Sequence, residues 1–144
     1  MRKRHGNWRT NLNALITARQ ETPFEWGQND CCLWAADAIL AQTGEDPAEK
    51  YRGTYSSELG AFRAMKRNDK VDNTDRLAQK LIGEPIHPAL AQVGDIVLFQ
   101  SALGVCYGRN ALFVGQEQLI GDAIEGHEGL LLIPMQKMSK AYRV

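Results

Sequence analysis

The sequence predicts an α+β domain in which N-terminal helices pack on a small C-terminal antiparallel sheet. Apolar residues recur at helical spacing through residues 7–82, which are expected to be mainly helical. Residues 94–144 instead hold short runs of Val, Ile, Leu, Phe and Tyr separated by glycines and polar turns, a pattern typical of short strands. Helices followed by strands is the α+β order. At this length we expect one domain, 1–144, with a basic, flexible start at residues 1–6.

The first predicted helix runs from Asn7 or Thr10 to about Gln20 and has one apolar side, as expected of a packing helix. A second helix is predicted after Asn29 or Asp30, either of which can cap it by accepting a hydrogen bond from a free backbone N–H. This helix is mostly apolar and is expected to end at Gly44.

Two adjacent cysteines, Cys31 and Cys32, fall in the first turn of this second helix. There the helix dipole and free N–H groups favour negative charge, which lowers a thiol pKa. Cysteine is also a small apolar residue that is often buried, so a reactive thiol and a packing residue are both open interpretations. Because neighbours on a helix point about 100 degrees apart, we expect at most one thiol to face a cleft and the other to pack inward.

Two further amphipathic helices are predicted at residues 58–68 and 72–82, capped by Ser56 or Ser57 and by Asn73 or Thr74. The first of them is expected to carry Leu59, Phe62 and Met65 on one side. An irregular, extended segment with two prolines follows at residues 84–92.

Five short strands are expected to form an antiparallel meander, at residues 95–100, 103–107, 111–114, 118–120 and 130–133. The Gly-Arg-Asn sequence at residues 108–110 suits a tight hairpin. Residues 134–141 are expected to form a last helical turn.

The composition excludes several classes of protein. With 17 basic and 17 acidic residues, the zero net charge argues against a nucleic-acid-binding protein driven by phosphate neutralisation. The three cysteines lack zinc-binding spacing, so we expect reduced thiols, no metal and no cofactor. The sequence contains neither an apolar run long enough to span a membrane nor a secretion signal, so we expect synthesis in the cytoplasm.

Two stretches of this sequence resemble a known family. Asp-Cys-Cys-Leu-Trp at residues 30–34 resembles the Asp-Cys-Ser-Gly-Leu signature of the NlpC-type cell-wall peptidases, a papain-like superfamily. Gly-Asp-Ile-Val-Leu-Phe at residues 94–99 resembles the Gly-Asp-Leu-Val-Phe-Phe strand of that family. Together with Trp-Gly at 26–27 and Ala-Ala-Asp at 35–37, the pattern is similar to a phage and prophage branch whose members look like tail-module proteins.

The resemblance implies a papain-like fold in which Cys31 is the candidate nucleophile and a strand of the sheet supplies the base. In the family this base is a histidine that opens the strand after the Gly-Asp motif. The matching position here is Ala102, which cannot transfer a proton. His127, in a polar loop bounded by glycines, is then the remaining candidate for a displaced base, ahead of His5 and His87.

Two functions follow as expectations. The first is a phage or prophage tail-tip domain that serves as a structural part of the virion, with other tail-tip or hub proteins as partners. The alternative is an active cysteine peptidase or amidase that uses Cys31 to cleave peptidoglycan during DNA delivery. Either protein would be made in the cytoplasm of a bacterial host and carried in the assembled tail. A thiol regulator using the adjacent cysteines is a third interpretation, against which the lack of a Cys-x-x-Cys motif argues.

Overall fold

A computed structural model describes residues 3–115, 117–124 and 129–144. It confirms the predicted α+β architecture, with helices first and an antiparallel sheet second. The helices are α1 (Trp8–Arg19), α2 (Cys31–Thr43), α3 (Glu58–Asp69), α4 (Thr74–Leu81) and the short α5 (Glu117–Ile120). The candidate base His127 lies outside the described residues.

The helix boundaries agree with the predicted capping residues. The side chain of Asp30 accepts a hydrogen bond from the N–H of Leu33, and Gly44 ends α2 in the left-handed conformation with a φ of 77°. Ser57 caps α3 and Asn73 caps α4 in the same way as Asp30 caps α2. These predictions hold because a cap depends on residues within one turn of one another.

The described residues form a six-stranded sheet in the order β1-β6-β2-β3-β4-β5, with every neighbouring pair antiparallel. The strands are β1 (Pro85–Ile86), β2 (Ile96–Phe99), β3 (Ala102–Tyr107), β4 (Asn110–Val114), β5 (Leu130–Pro134) and β6 (Lys140–Tyr142). The order β2-β3-β4-β5 is the predicted meander without its expected fourth strand, and the predicted hairpin joins β3 to β4.

Two local predictions in the C-terminal half were wrong. Residues 118–120, expected as a strand, lie in helix α5. The segment 134–141, expected as a helical turn, holds the 3₁₀ turn Met135–Lys137 and then enters β6. β6 is only three residues long, and it is held by pairing with β1 and β2 on its two sides, a stabilisation that local spacing cannot reveal.

The sheet is covered on both faces. Helices α1 and α2 pack on one face, where Trp34 is fully buried and its Nε1 donates to the carbonyl oxygen of Leu112 at 2.9 Å. The second face carries Phe113 and Leu131, which pack with Leu119 of α5 and Met138. A third cluster joins α2 to α3 and α4. Helix α2 is therefore surrounded by packed elements, and its first turn lies against the sheet.

The stretch 1–6 was expected to be a flexible start. Within its described part, the backbone N–H of His5 donates to the carbonyl oxygen of Gln42 at 2.7 Å. The guanidinium of Arg4 donates to the side chain of Gln42 at 2.8 Å and to the carbonyl oxygen of Val93 at 3.0 Å. These contacts join this stretch to the C-terminal end of α2 and to the segment before β2.

Candidate functional site

The loop before α2 is built around Gly27 and Asp30. Gly27 has a φ of 80°, and a Cβ at this position would collide with the carbonyl oxygen of Tyr55. Its N–H donates to Oδ2 of Asp30 at 2.9 Å. Glycine is therefore required here both by the backbone conformation and by the close approach of Tyr55. Tyr55 belongs to residues 48–55, a segment between α2 and α3 that is called the 48–55 connection below.

Asp30 is a buried carboxylate with three donors. Its Oδ1 accepts from the N–H of Leu33 at 3.0 Å, and its Oδ2 accepts from Gly27 and from the hydroxyl of Tyr55 at 2.5 Å. Only 1% of the residue is exposed. Hydrogen bonds and the positive end of α2 compensate the buried charge, so Asp30 fixes the start of the helix rather than taking part in proton transfer.

The other polar residues near the cysteines also have structural partners. The side-chain amide of Asn29 donates to the carbonyl oxygens of Thr22 and Pro23 at 3.2 and 2.9 Å. Asp37 forms ion pairs of 2.8 Å with Arg19 and 2.7 Å with Arg52. These contacts tie α1 and the 48–55 connection to α2.

The two cysteines of the first turn point to different sides. Their Sγ atoms are 4.0 Å apart, and both thiols are free and half-buried. Cys31 packs against the cluster on the second face of the sheet. Cys32 packs among α2, α3 and α4, where it lines a small apolar cavity of about 30 Å³ together with Tyr51 and Leu77.

The surroundings of the pair favour ionisation of Cys31 over Cys32. The hydrogen bond from the Cys32 thiol lowers the pKa of Cys31 below that of an ordinary thiol, and the backbone N–H of Leu103 adds to this effect against the opposing effect of burial. The pKa of Cys32 is raised well above the ordinary value by its hydrogen bond to Cys31, by burial and by the charge on Cys31. The arrangement therefore favours a thiolate at Cys31, with the neighbouring thiol of Cys32 as its donor.

The N–H of Leu103 can reach this sulfur because of its place in the sheet. Cys106, three residues further along β3, donates its N–H to the carbonyl oxygen of Asp95 and accepts the N–H of Gly94, both on the β2 side. Successive residues of a strand turn to alternate neighbours, so the N–H of Leu103 faces the β4 side. Pairing with β4 ends at Val105 and Leu112, and this leaves the N–H of Leu103 available to Cys31.

Ala102 directly precedes Leu103 and opens β3. It is 3% exposed and belongs to the cluster against which Cys31 packs. Ala102 therefore contributes a methyl group to the same apolar cluster as Cys31. Among the described histidines, His5 lies at the opposite end of α2, and the exposed His87 accepts the N–H of Ala89 through Nδ1 at 3.0 Å. Neither is hydrogen-bonded to Cys31.

Sequence reasoning missed several residues that build this site. It gave residues 48–55 no part in the site, whereas Tyr55 contacts Asp30 and Arg52 contacts Asp37. It also gave no role to the backbone of Leu103. These contacts join residues far apart in the chain, and no local spacing could have indicated them.

Two kinds of feature, a metal-binding group of side chains and a membrane-spanning helix, are absent from the described residues. Within residues 3–115, 117–124 and 129–144, no group of three or more His, Cys, Asp or Glu side chains could hold a metal ion. In the same residues no helix is long and apolar enough to cross a membrane.

The fold and the site together define a class: an α+β domain whose second helix opens with a cysteine held against the sheet. The chain belongs to the family described as a domain of unknown function, DUF6950, whose family model matches residues 3–144. Neither a curated protein nor a solved structure matches the chain.

Proposed function

We propose that the chain is a papain-like, NlpC-like domain that serves as a structural component of a phage or prophage tail tip, without complete hydrolytic machinery. The motifs at residues 26–37 and 94–99 support this assignment. So does the architecture, since a helix that opens with cysteine packs on an antiparallel sheet. Other tail-tip or hub proteins are the proposed partners, with host cytoplasm as the place of synthesis and the virion tail as the destination.

The burial of Ala102 in the cluster against which Cys31 packs is the observation on which the loss of hydrolysis rests. A cysteine peptidase needs a group that accepts the thiol proton and later protonates the leaving amine. The resemblance assigns that group to position 102, and the N–H of the next residue bonds to the sulfur. The methyl group of Ala102 can do neither step. General acid–base catalysis contributes about 10²–10⁴-fold, and amide hydrolysis without it is correspondingly slow.

The motif also has a role that does not require hydrolysis. Gly27, Asp30, Asn29 and Asp37 hold together α1, α2 and the 48–55 connection through the hydrogen bonds and ion pairs described above. The same residues therefore stabilise the domain whether or not Cys31 reacts. This fits a domain that is retained as an assembly part.

One observation favours the alternative of an active peptidase or amidase. The lowered pKa of Cys31 increases its thiolate fraction, and the thiolate is the attacking species in cysteine peptidases. This alternative requires a base from elsewhere, and His127 is its candidate. Peptidoglycan would then be the substrate.

The decisive experiment compares the wild-type protein with Cys31→Ala, and with Cys106→Ala as a matched control at the third cysteine, which lies outside α2. Each is incubated with purified peptidoglycan and new amine ends are counted. We expect no release by any of the three folded proteins, and particles assembled with Cys31→Ala should deliver DNA normally. Release by the wild type and by Cys106→Ala but not by Cys31→Ala would overturn the structural role in favour of the peptidase, and His127→Ala would be made next.

A further inference from the structure

We propose that the outward side of α3 is a docking surface for an acidic, amphipathic segment of a partner protein. This α3 surface consists of Leu59, Phe62, Arg63, Lys66, Arg67 and Lys70, all of which are exposed. The inference names the kind of partner for the assembly role proposed above and rests on that role. It concerns a part of the molecule separate from the cysteine site.

The apolar part of the α3 surface is not used by the domain itself. Leu59, Phe62 and Met65 were expected on one side of this helix, but only Met65 is buried, together with Ala61 and Ala64. Leu59 is 58% exposed and Phe62 is 37% exposed. The two are three residues apart and therefore adjacent on the helix, so they form one apolar patch rather than isolated surface residues.

The cationic part of the α3 surface comes directly after the apolar part along the chain. Arg63, Lys66 and Arg67 form no salt bridge with any acidic residue in the described part of the chain. The ammonium of Lys70 donates to the carbonyl oxygen of Arg67 at 3.3 Å. Among the exposed residues of α3, Glu58 is the acidic one. In a chain of zero net charge, this helix therefore concentrates positive charge that is not neutralised locally.

Intrahelical electrostatics explains only part of this arrangement. Cations in the last turn of a helix are stabilised by its dipole, which accounts for Lys66 and Arg67. It does not account for Arg63 in the middle of the helix, nor for the exposure of Leu59 and Phe62. Positions 59, 62, 63 and 66 follow the spacing of one helical face, and Lys70 caps the same helix, so the apolar and cationic groups are presented together.

This combination fits a protein partner better than other anionic ligands. Apolar side chains beside cations complement a segment in which two or more apolar residues alternate with Asp and Glu, as in an amphipathic helix laid along α3. Nucleic acid would use the cations and leave Leu59 uncovered. A membrane-bound helix needs a long free apolar side, whereas the main apolar side of α3 is buried against α2 and α4.

The test uses a fluorescent helical peptide with Leu and Phe spaced like the patch and Glu at the remaining surface positions. We expect it to bind the wild-type protein, and binding should weaken with added salt. The triple variant Arg63→Glu, Lys66→Glu, Arg67→Glu should weaken binding at least about tenfold, since it reverses charges at the interface. The variant Leu59→Ser, Phe62→Ser should also weaken it, because the apolar contacts are lost.

The matched control reverses the same number of charges elsewhere, at Lys3, Arg109 and Arg143, which are exposed and unpaired among the described residues. Its affinity for the peptide should differ from that of the wild type by less than about threefold, a change that reflects only the altered net charge. Circular dichroism verifies that every variant is folded. Equal loss in the control and the α3 variants, or no binding by the wild type, would overturn the proposal.

Other occupants are distinguished in the same assay. Tighter binding to a DNA duplex or to anionic vesicles than to the acidic peptide would overturn the proposal, as would dimerisation of the chain through the α3 surface. The peptide assay does not involve Cys31. A peptidase that still binds the peptide would refute the structural role alone, and an inert protein that does not bind would refute the docking surface alone.

Discussion

The hydroxyl of Tyr55 donates a hydrogen bond to Oδ2 of Asp30 across 2.5 Å and so joins two segments that are 25 residues apart in the chain. Burial, followed by the negative charge of Asp30, raises the pKa of Tyr55, so this phenol remains a donor at physiological pH. The same carboxylate caps α2. The 48–55 connection is therefore attached to the start of the helix that carries Cys31.

We expect Tyr55→Phe to reduce the free energy of unfolding by about 1–2 kcal/mol, because a buried carboxylate loses one of its donors and keeps two. Urea denaturation measures the change. Tyr107→Phe is the matched control, since its hydroxyl bonds to Asn13 on the surface and its loss should cost less than about 0.5 kcal/mol. If the two variants lose similar free energies of unfolding, the hydrogen bond to Asp30 contributes no more to stability than the surface hydrogen bond to Asn13.

The second prediction concerns the donor to the sulfur. Cys32→Ala removes the thiol that stabilises the Cys31 thiolate, so the pKa of Cys31 should rise and its alkylation by iodoacetamide at neutral pH should slow severalfold. Cys32→Ser keeps a donor and should react more like the wild type. The rate at Cys31 is followed by mass spectrometry over a range of pH, with Cys106→Ala as a control. Unchanged pH profiles in Cys32→Ala would contradict the assigned hydrogen bond.

The third prediction concerns a variant with an imidazole at the start of β3. Because Ala102 precedes the residue that bonds to Cys31, Ala102→His should place a base beside the sulfur and speed alkylation of Cys31 near pH 6 through a thiolate–imidazolium pair. Ala102→Leu has similar bulk without a titrating group and controls for the strain of enlarging a buried side chain. If the two folded variants react at the same rate, position 102 does not face the thiol.

The fourth prediction concerns acid stability. Partial burial of Asp75 opposes its ionisation, but hydrogen bonds from Lys140, Tyr142 and Gln79 outweigh this effect and lower its pKa to about 2. The folded-state value lies below the unfolded value of about 3.9. This carboxylate therefore stabilises the fold above about pH 4, and its contribution is lost as the pH falls toward 2.

We accordingly expect Asp75→Asn to lower stability at pH 7 by on the order of 1 kcal/mol, with a smaller difference from the wild type near pH 2.5. Chemical denaturation at both values measures this. Asp122→Asn is the comparison, because its ion pair with Lys137 lies on the surface and should contribute little at either pH. If the stability difference between Asp75→Asn and the wild type is as large near pH 2.5 as at pH 7, it arises from packing and not from the charge of Asp75.

The sequence by itself determined the parts of this protein that depend on neighbouring residues. Asp30 and Gly44 bound the cysteine helix as predicted, because capping and left-handed helix ends are decided within one turn. The meander from β2 to β4 also followed from short apolar runs and from the turn at residues 108–110. The position of Cys31 at the start of α2 belongs to this predictable part.

Only the tertiary structure decided what surrounds that cysteine. The N–H of Leu103 reaches the sulfur because pairing between β3 and β4 ends before it, and Tyr55 reaches Asp30 because the 48–55 connection folds back over Gly27. β6 joins the sheet through pairing with β1 and β2 rather than through its own pattern. In each case the stabilising contact joins residues distant in sequence, and its free energy is absent from any local segment.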